Sequence, residues 1–364
     1  MAKKIFIAAT QQNDGKTTVS LGLIAAFKKH FERIGFIKPI GQRYLMEQGY
    51  KVDEDSVLIE EVFGIKCNIK DMSPVAIEKG FTERFIEKGA DEDYAGIIKD
   101  AYDKIAQEND LVIIEGTGHA GVGSVFNLSN ATVAMILDAN VILISSGGVG
   151  KPIDEVMLNK ALLDREGVHL AGVIVNKVLP EKYDKISRIV RAGLTQKSLD
   201  VFGVLPYRKI LDIPTMREIQ EELKVNMLFK GESMDAPVEN VLIGAMNVKD
   251  ALEFLQNNLL MIIPGDRDDM IEVICKVNSG KVKKGCKVSG VILSGGIMPE
   301  KKSMESLEKS GIAVLITKED TYKIAARVNS MVVKLKPQDT DKIKIIVDMV
   351  EKYVDIDKVL ANLK

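Results

Sequence analysis

Runs of consecutive apolar residues alternate with helically spaced segments along the whole chain. The first run, Ile5 to Ala9, breaks at Thr10-Gln11-Gln12-Asn13-Asp14, and helical spacing restarts at Gly15-Lys16-Thr17-Thr18. The spacing predicts a helix around Thr17–His30, a short strand at Gly35–Lys38 and a helix around Glu92–Gln107. In that last helix Tyr94, Ile97, Ile98, Ala101, Tyr102 and Ile105 share one face. Further strands are expected at Leu111–Glu115, Val141–Ser145, Ala171–Asn176 and Val201–Leu205. These runs are continuous and not alternating, which marks strands covered on both faces of a helix-wrapped parallel sheet.

The pattern loosens around Pro206–Pro214, which places a domain boundary near Asp212. A second α/β series follows, with strands at Val241–Met246, Leu259–Ile263, Val288–Leu293 and Ala313–Ile316. Between them lie helices at Val248–Leu255, Asp268–Val277, Lys301–Lys309 and Glu319–Val328. This series has no phosphate loop of its own, and its lysine- and glycine-rich stretch Gly280–Lys287 reads as a surface turn. After Pro337 a closing helix presents Ile343, Ile346, Val347, Val350 and Tyr353 on one face, with Asp339 or Thr340 as its cap. The division is therefore residues 1–212, 213–332 and a helical tail, 333–364.

Length and charge narrow the class. A chain of 364 residues is comfortable for two domains, and a net charge of −2 gives no electrostatic case for nucleic acid or an anionic membrane. Cys67, Cys275 and Cys286 are odd in number and scattered, which argues for reduced thiols. Lys3-Lys4 before a short apolar run has the look of a secretion signal, but the run ends at Thr10, too early for one. No apolar run approaches a membrane span. A cytoplasmic globular protein is expected.

The strand, polar loop and helix start of residues 4–18 form the arrangement that holds a phosphate, because consecutive backbone N–H groups and a helix N-terminus meet there. Lys16 is placed to reach the β- and γ-phosphates of ATP and Thr17 to ligate Mg²⁺, with Asp14, Gly15 and Thr18 completing the loop. The spacing G-x-x-x-x-G-K-[ST] asks for glycine where Thr10 stands. The alternative is a solvated strand-to-helix loop.

Glu115 closes a buried strand and opens into Gly116-Thr117-Gly118. A carboxylate at the carboxyl end of a parallel strand sits where such sheets bind ligands, and beside a triphosphate it takes Mg²⁺ directly or through water. Gly116 and Gly118 would let a ligand approach; the alternative is a strand-end glutamate facing solvent. Asp53, Glu54 and Asp55 offer one metal-holding carboxylate or a solvated surface. Lys38, before Pro39, either holds an anionic substrate or is a surface lysine, and spacing does not separate the two. Gly147, Gly148 and Gly150 fit a loop near phosphates or an ordinary turn. With His119 alone in a candidate loop and no Cys/His cluster, zinc is not expected; without G-x-S-x-G, neither is a serine hydrolase.

These pieces together resemble the dethiobiotin synthetase family of P-loop proteins: Gly15-Lys16-Thr17, Ile37-Lys38-Pro39, Glu115-Gly116-Thr117-Gly118 and Gly172-Val173-Ile174-Val175-Asn176-Lys177. Ala9 stands at the first glycine of that family's loop. The resemblance implies that Lys16 and Lys38 act near transferred phosphate and substrate. It further implies that Thr17, Glu115 and an acidic residue such as Asp55 hold Mg²⁺, and that Asn176 recognises adenine. Over its whole length the chain is similar to the N-terminal half of long bacterial phosphotransacetylases, which join such a domain to a small DRTGG domain, a ligand-binding regulatory module. Gly244-Ala245-Met246, Pro264-Gly265-Asp266-Arg267 and Leu293-Ser294-Gly295-Gly296 resemble the landmarks of that module, although Asp266-Arg267 is followed by Asp268-Asp269. The phosphotransacetylase catalytic domain is expected to be absent.

Ile40-Gly41-Gln42-Arg43 replaces the small polar residue that binds the diamine in dethiobiotin-forming members, and Gln11 or Gln12 replaces the early loop lysine of partitioning ATPases. Biotin synthesis and septum or chromosome positioning are therefore not expected. The expectation is an α/β protein with a P-loop NTPase-type parallel sheet, helices on both faces, and a smaller DRTGG-like domain. It would bind ATP and Mg²⁺ and an unidentified small molecule, as a regulator linked to acyl-phosphate metabolism. The alternative is a ligase-like enzyme that phosphorylates a carboxylate or carbamate. The related synthetases imply a homodimer. At Gly265-Asp266-Arg267 and Ser294-Gly295-Gly296 the second domain offers either N–H groups and an arginine for an anion, or ordinary turns.

Overall fold

The protein is described by a computed structural model over residues 2–282 and 285–364. Of the turn expected at 280–287, Lys283 and Lys284 lie outside the described residues. The chain divides into two compact units, one running through Arg208 and resuming at Leu335–Lys364, the other comprising Lys209–Lys334. The second unit is thus inserted into the first in sequence.

The first unit contains strands β1 (Lys3–Ala9), β2 (Ile34–Ile37), β3 (Ile40–Gly41), β4 (Tyr44–Glu47) and β5 (Tyr50–Asp53). Then come β6 (Val75–Ala76), β7 (Leu111–Glu115), β8 (Val141–Ser146), β9 (Leu170–Val178) and β10 (Val201–Pro206). Six of these form one parallel sheet in the order β10-β9-β8-β1-β7-β2. Ile5, Phe6, Ile7, Ile113 and Ile142 are fully buried, as the unbroken apolar runs require of a sheet covered on both faces. The α/β class expected from the sequence is borne out.

β4 and β5 form an antiparallel hairpin leading into the helix Glu54–Phe63, neither of which the sequence reading identified. Asp53 caps that helix, its Oδ1 accepting from the Asp55 N–H at 3.0 Å. The acidic run is therefore a helix start, where negative charge is favourable.

The segment 335–364 packs within the first unit. Its helix Thr340–Tyr353 lies on the helix Lys16–Phe27, with Val350 fully buried against Gly22. A Cβ at Gly22 would come within 2.2 Å of Val350 Cγ2, so glycine sets how closely the two helices approach. Lys364 and Lys4 exchange backbone hydrogen bonds of 3.0 and 3.1 Å. Asp339 precedes the helix, but its carboxylate accepts from the Lys336 N–H at 2.9 Å and caps nothing.

The second unit has β11 (Asn226–Phe229), β12 (Asn240–Ile243), β13 (Leu259–Pro264), β14 (Val288–Ser294) and β15 (Ala313–Ile316), ordered β11-β15-β14-β13-β12. Four are parallel; β11 pairs antiparallel with β15 at the edge. Leu259, Met261 and Ile263 point into one core layer and Leu260 and Ile262 into the other. Among the described residues no helix is long and apolar enough to cross a membrane.

Candidate functional site

β1 lies between β7 and β8; from β1 the chain goes to β2 on the β7 side, and β8, β9 and β10 follow on the other, so the carboxyl ends of the central strands open at the switch point of the sheet, where ligands of such folds bind. Thr10 to Asp14 follow β1, and Gly15, left-handed at φ 93°, turns the chain into the helix beginning at Lys16. No side chain caps that helix, which leaves its first N–H groups as hydrogen-bond donors.

The loop is braced from three directions. Asp14 Oδ2 accepts from the Thr10 hydroxyl and the Gln11 N–H, each at 2.8 Å. Gln11 Nε2 reaches Glu155 Oε1 at 2.7 Å, and Asn159 Nδ2 reaches the Thr10 carbonyl at 3.4 Å. Below the turn, Asn176 Nδ2 donates to the Asp14 carbonyl at 2.9 Å. Thr10, where the motif asks for glycine, closes the loop through its hydroxyl. Burial raises the Asp14 carboxyl above its ordinary range, against the pull of the hydrogen bonds from Thr10 and Gln11.

Beside the loop lies a buried charge cluster. Lys38, at the end of β2, is 6% exposed, and its ammonium faces Asp53 Oδ1 at 3.2 Å, Glu115 Oε1 at 3.5 Å and the Asp55 carboxylate. Burial alone would lower the Lys38 pKa, but Asp55, Glu115 and Asp53 outweigh it and hold the ammonium charged. Burial is also the first cause raising Glu115 and Asp53, opposed by Lys38 and reinforced by Asp55. The Thr17 hydroxyl donates to Glu115 Oε1 at 3.1 Å, while Glu115 Oε2 makes no hydrogen bond of normal geometry among the described residues and has the Ser20 hydroxyl as a polar neighbour. Lys16 is half-buried, its pKa lowered first by burial and in part by Lys38, and among the described residues it forms no salt bridge.

Lys16, Thr17, Lys38, Asp55 and Glu115 are thus brought together around the ends of β1, β2 and β7, with Asp14 and Gly15 in the adjoining turn and Thr18 in the first turn of the helix. Gly116 and Gly118 serve the protein's own packing. A Cβ on Gly116 would come within 2.6 Å of Asn130 Oδ1 and 2.7 Å of Phe6, and one on left-handed Gly118 within 2.6 Å of Val122. Asn130 binds this turn through the Thr117 N–H and the carbonyls of Thr117 and His119.

In the second unit the groups considered for an anion are already engaged. Arg267 donates to the carbonyls of Gly244 at 2.7 Å and Met246 at 3.0 Å and pairs with Asp269. The Gly295 and Gly296 N–H groups each donate at 2.8 Å, to the carbonyls of Glu319 and Thr317. These stretches are turns held by the protein itself.

Sequence reasoning missed Thr10, Asn130, Glu155 and Asn159 as parts of the site. Glu155 and Asn159 lie four apart on the helix Gly150–Arg165, a spacing that places them on one face. Nothing local says that this face meets the loop.

Residues 3–215 match the AAA domain family and residues 218–331 the DRTGG domain. Among similar proteins, the phosphate acetyltransferase of Nitratidesulfovibrio vulgaris is 24% identical, the alignment covering 100% of this chain and 52% of that protein. That of Synechocystis sp. is 27% identical over 100% of this chain and 52% of that protein. The Escherichia coli enzyme is 20% identical, at 98% and 52%. The expected relation to long bacterial phosphotransacetylases is borne out, and the chain spans about half the length of these relatives.

Proposed function

The chain belongs to the AAA domain family and carries a DRTGG domain, and on that footing we propose that its first unit binds Mg²⁺–ATP at the ends of β1, β2 and β7. The DRTGG unit would respond to a small molecule, making the protein a regulator linked to acyl-phosphate metabolism, the chemistry named by its relatives. The reading includes a homodimer in the cytoplasm.

One observation carries it. Two buried carboxylates, Asp53 and Glu115, and the half-buried Asp55 face Lys38, and among the described residues Glu115 Oε2 makes no hydrogen bond of normal geometry. An unmatched buried carboxylate oxygen is costly unless something supplies positive charge. Mg²⁺ is ordinarily held by one or two carboxylates together with substrate phosphates. Thr17, Glu115 and Asp55 would be its protein ligands. The metal would supply charge to the phosphate oxygens and compete with Lys38 for Asp55 and Glu115. The Lys38 ammonium would then be free for an anionic group.

The buried position of Lys38 among these carboxylates also favours a second reading, a ligase-like enzyme that phosphorylates a carboxylate or carbamate. ADP release that depends on one added carboxylate or diamine would select it. The test of binding itself is calorimetric titration with ATP, with and without Mg²⁺, on the native chain and Lys16→Ala. Saturable binding that weakens at least about tenfold in the variant, without a change in melting, supports the site, because Lys16 makes charge-assisted phosphate contacts and little packing. Absence of binding to the native chain at millimolar ATP overturns it.

A further inference from the structure

We infer that the carboxyl end of the sheet in the second unit is a contact surface for a second copy of this chain, with β14 at the two-fold axis. The inference deepens the homodimer in the reading above by assigning its surface, and it rests on no bound nucleotide.

β12, β13, β14 and β15 lie side by side in chain order, so the order never reverses and no switch-point crevice is set up at their carboxyl ends. What this end shows to solvent is apolar. Ile297 and Met298, in the loop after β14, are 41% and 52% exposed. Tyr322, in the first turn of the helix Thr321–Ser330, is 80% exposed. A single exposed apolar side chain needs no cause, but three at one end of a sheet do. Met and Tyr are enriched where protein surfaces meet.

The loop that presents them is held in place. Gly295 and Gly296, left-handed at φ 78° and 67°, donate to the carbonyls of Glu319 and Thr317. The Ser294 and Thr321 hydroxyls share a hydrogen bond of 2.7 Å. The Ile297 carbonyl lies on Gly265, where a Cβ would come within 1.8 Å of its oxygen. Apolar side chains fixed outward in advance lose little freedom on docking, which favours association.

Charge selects the partner. Lys318, after β15, lies against Gly296, a Cβ there coming within 3.4 Å of Lys318 Cγ. Asp266 follows Gly265, across Ile297 from that lysine. Both are exposed, and neither forms a salt bridge among the described residues. Over β13, β14 and β15 the order is therefore anion, apolar, cation. A half-turn about an axis through the β14 end sets each Lys318 over the Asp266 of the other copy. The face is complementary to itself.

The experiment measures self-association of the full chain by light scattering, at an ionic strength of about 0.05 M where such pairs are screened least. It compares the native chain with Lys318→Asp, Asp266→Lys, an equimolar mixture of the two, and the double variant; melting curves report that each is folded. The native chain should associate reversibly. Each single variant should associate about tenfold more weakly, because both symmetric pairs become repulsions. The mixture and the double variant should regain the native constant, since each again sets opposite charges across the axis. Weakening without recovery overturns the inference. So does a native dimer that no substitution alters, which leaves the homodimer standing on another surface. A native chain that stays monomeric up to about 0.1 mM overturns the inference and the homodimer together, and leaves this face to a different occupant.

Discussion

Replacing Lys38 by methionine tests the charge cluster directly. The substitution keeps an unbranched side chain of similar length, so packing changes little, while Asp53, Asp55 and Glu115 lose the cation they surround. Their side chains are 4%, 19% and 0% exposed, so water screens them poorly. Breaking a buried pair by removing one partner typically costs about 3–5 kcal/mol, and that is the deficit expected near pH 8. For a unit of roughly 200 residues it corresponds to a fall of about 6–20 °C in Tm.

The pH dependence distinguishes this cause from lost packing. Burial raises Asp53 and Glu115 above their ordinary values of 3.8 and 4.5. A carboxyl whose folded pKa is raised contributes stability that is complete below its unfolded pKa and is lost as pH rises through the folded one. Lys38 restrains that loss by lowering both groups, so Lys38→Met moves their folded pKa values further up. The deficit should then be largest in weak base and smaller in weak acid, where the raised acids protonate. Unfolding followed by circular dichroism is the natural assay, since the chain has no tryptophan. A deficit that is equal at pH 5 and pH 8, or smaller than about 1 kcal/mol throughout, refutes the reasoning.

Glu115→Gln should weaken Mg²⁺–ATP binding more than metal-free ATP binding in paired titrations; an equal effect in both separates Glu115 from the metal. Gly22→Ala should destabilise the first unit by about 1–3 kcal/mol through its clash with Val350, and adding Val350→Ala should recover part of that loss. Strict additivity in this double-mutant cycle would show that the two helices do not meet as described. Arg267→Met should lower the stability of the second unit by about 1–2 kcal/mol, because the Gly244 and Met246 carbonyls lose their donor, with denaturant unfolding as the readout.

The strands were legible because a parallel sheet covered on both faces demands unbroken apolar runs, and Ile5–Ala9, Leu111–Glu115 and Val141–Ser145 are such runs. Lys16 and Thr17 were legible as well, since a helix start after a buried strand has a local signature. The neighbours that brace the loop were not. Thr10 meets Glu155 and Asn159 across about 145 positions, and no local pattern announces such a pairing. Arg267 stayed open between two readings: an arginine among glycines fits an anion site or an ordinary turn until the carbonyls of Gly244 and Met246 are seen to occupy it. The amphipathic face of the closing helix announced a need for cover without naming Gly22 as the surface that provides it.

The return of the chain to its first unit fixes an order of events during synthesis. All of Lys209–Lys334 is synthesised before the helix that covers Gly22. Nascent chains ordinarily complete their domains from the N-terminus onward. Here the second unit can close while the helix Lys16–Phe27 still shows the face destined for Val350 to solvent or to chaperones. Any delay before the helix Thr340–Tyr353 docks would therefore lengthen the interval in which the first unit is open to aggregation. The unit whose synthesis begins first is the one completed last.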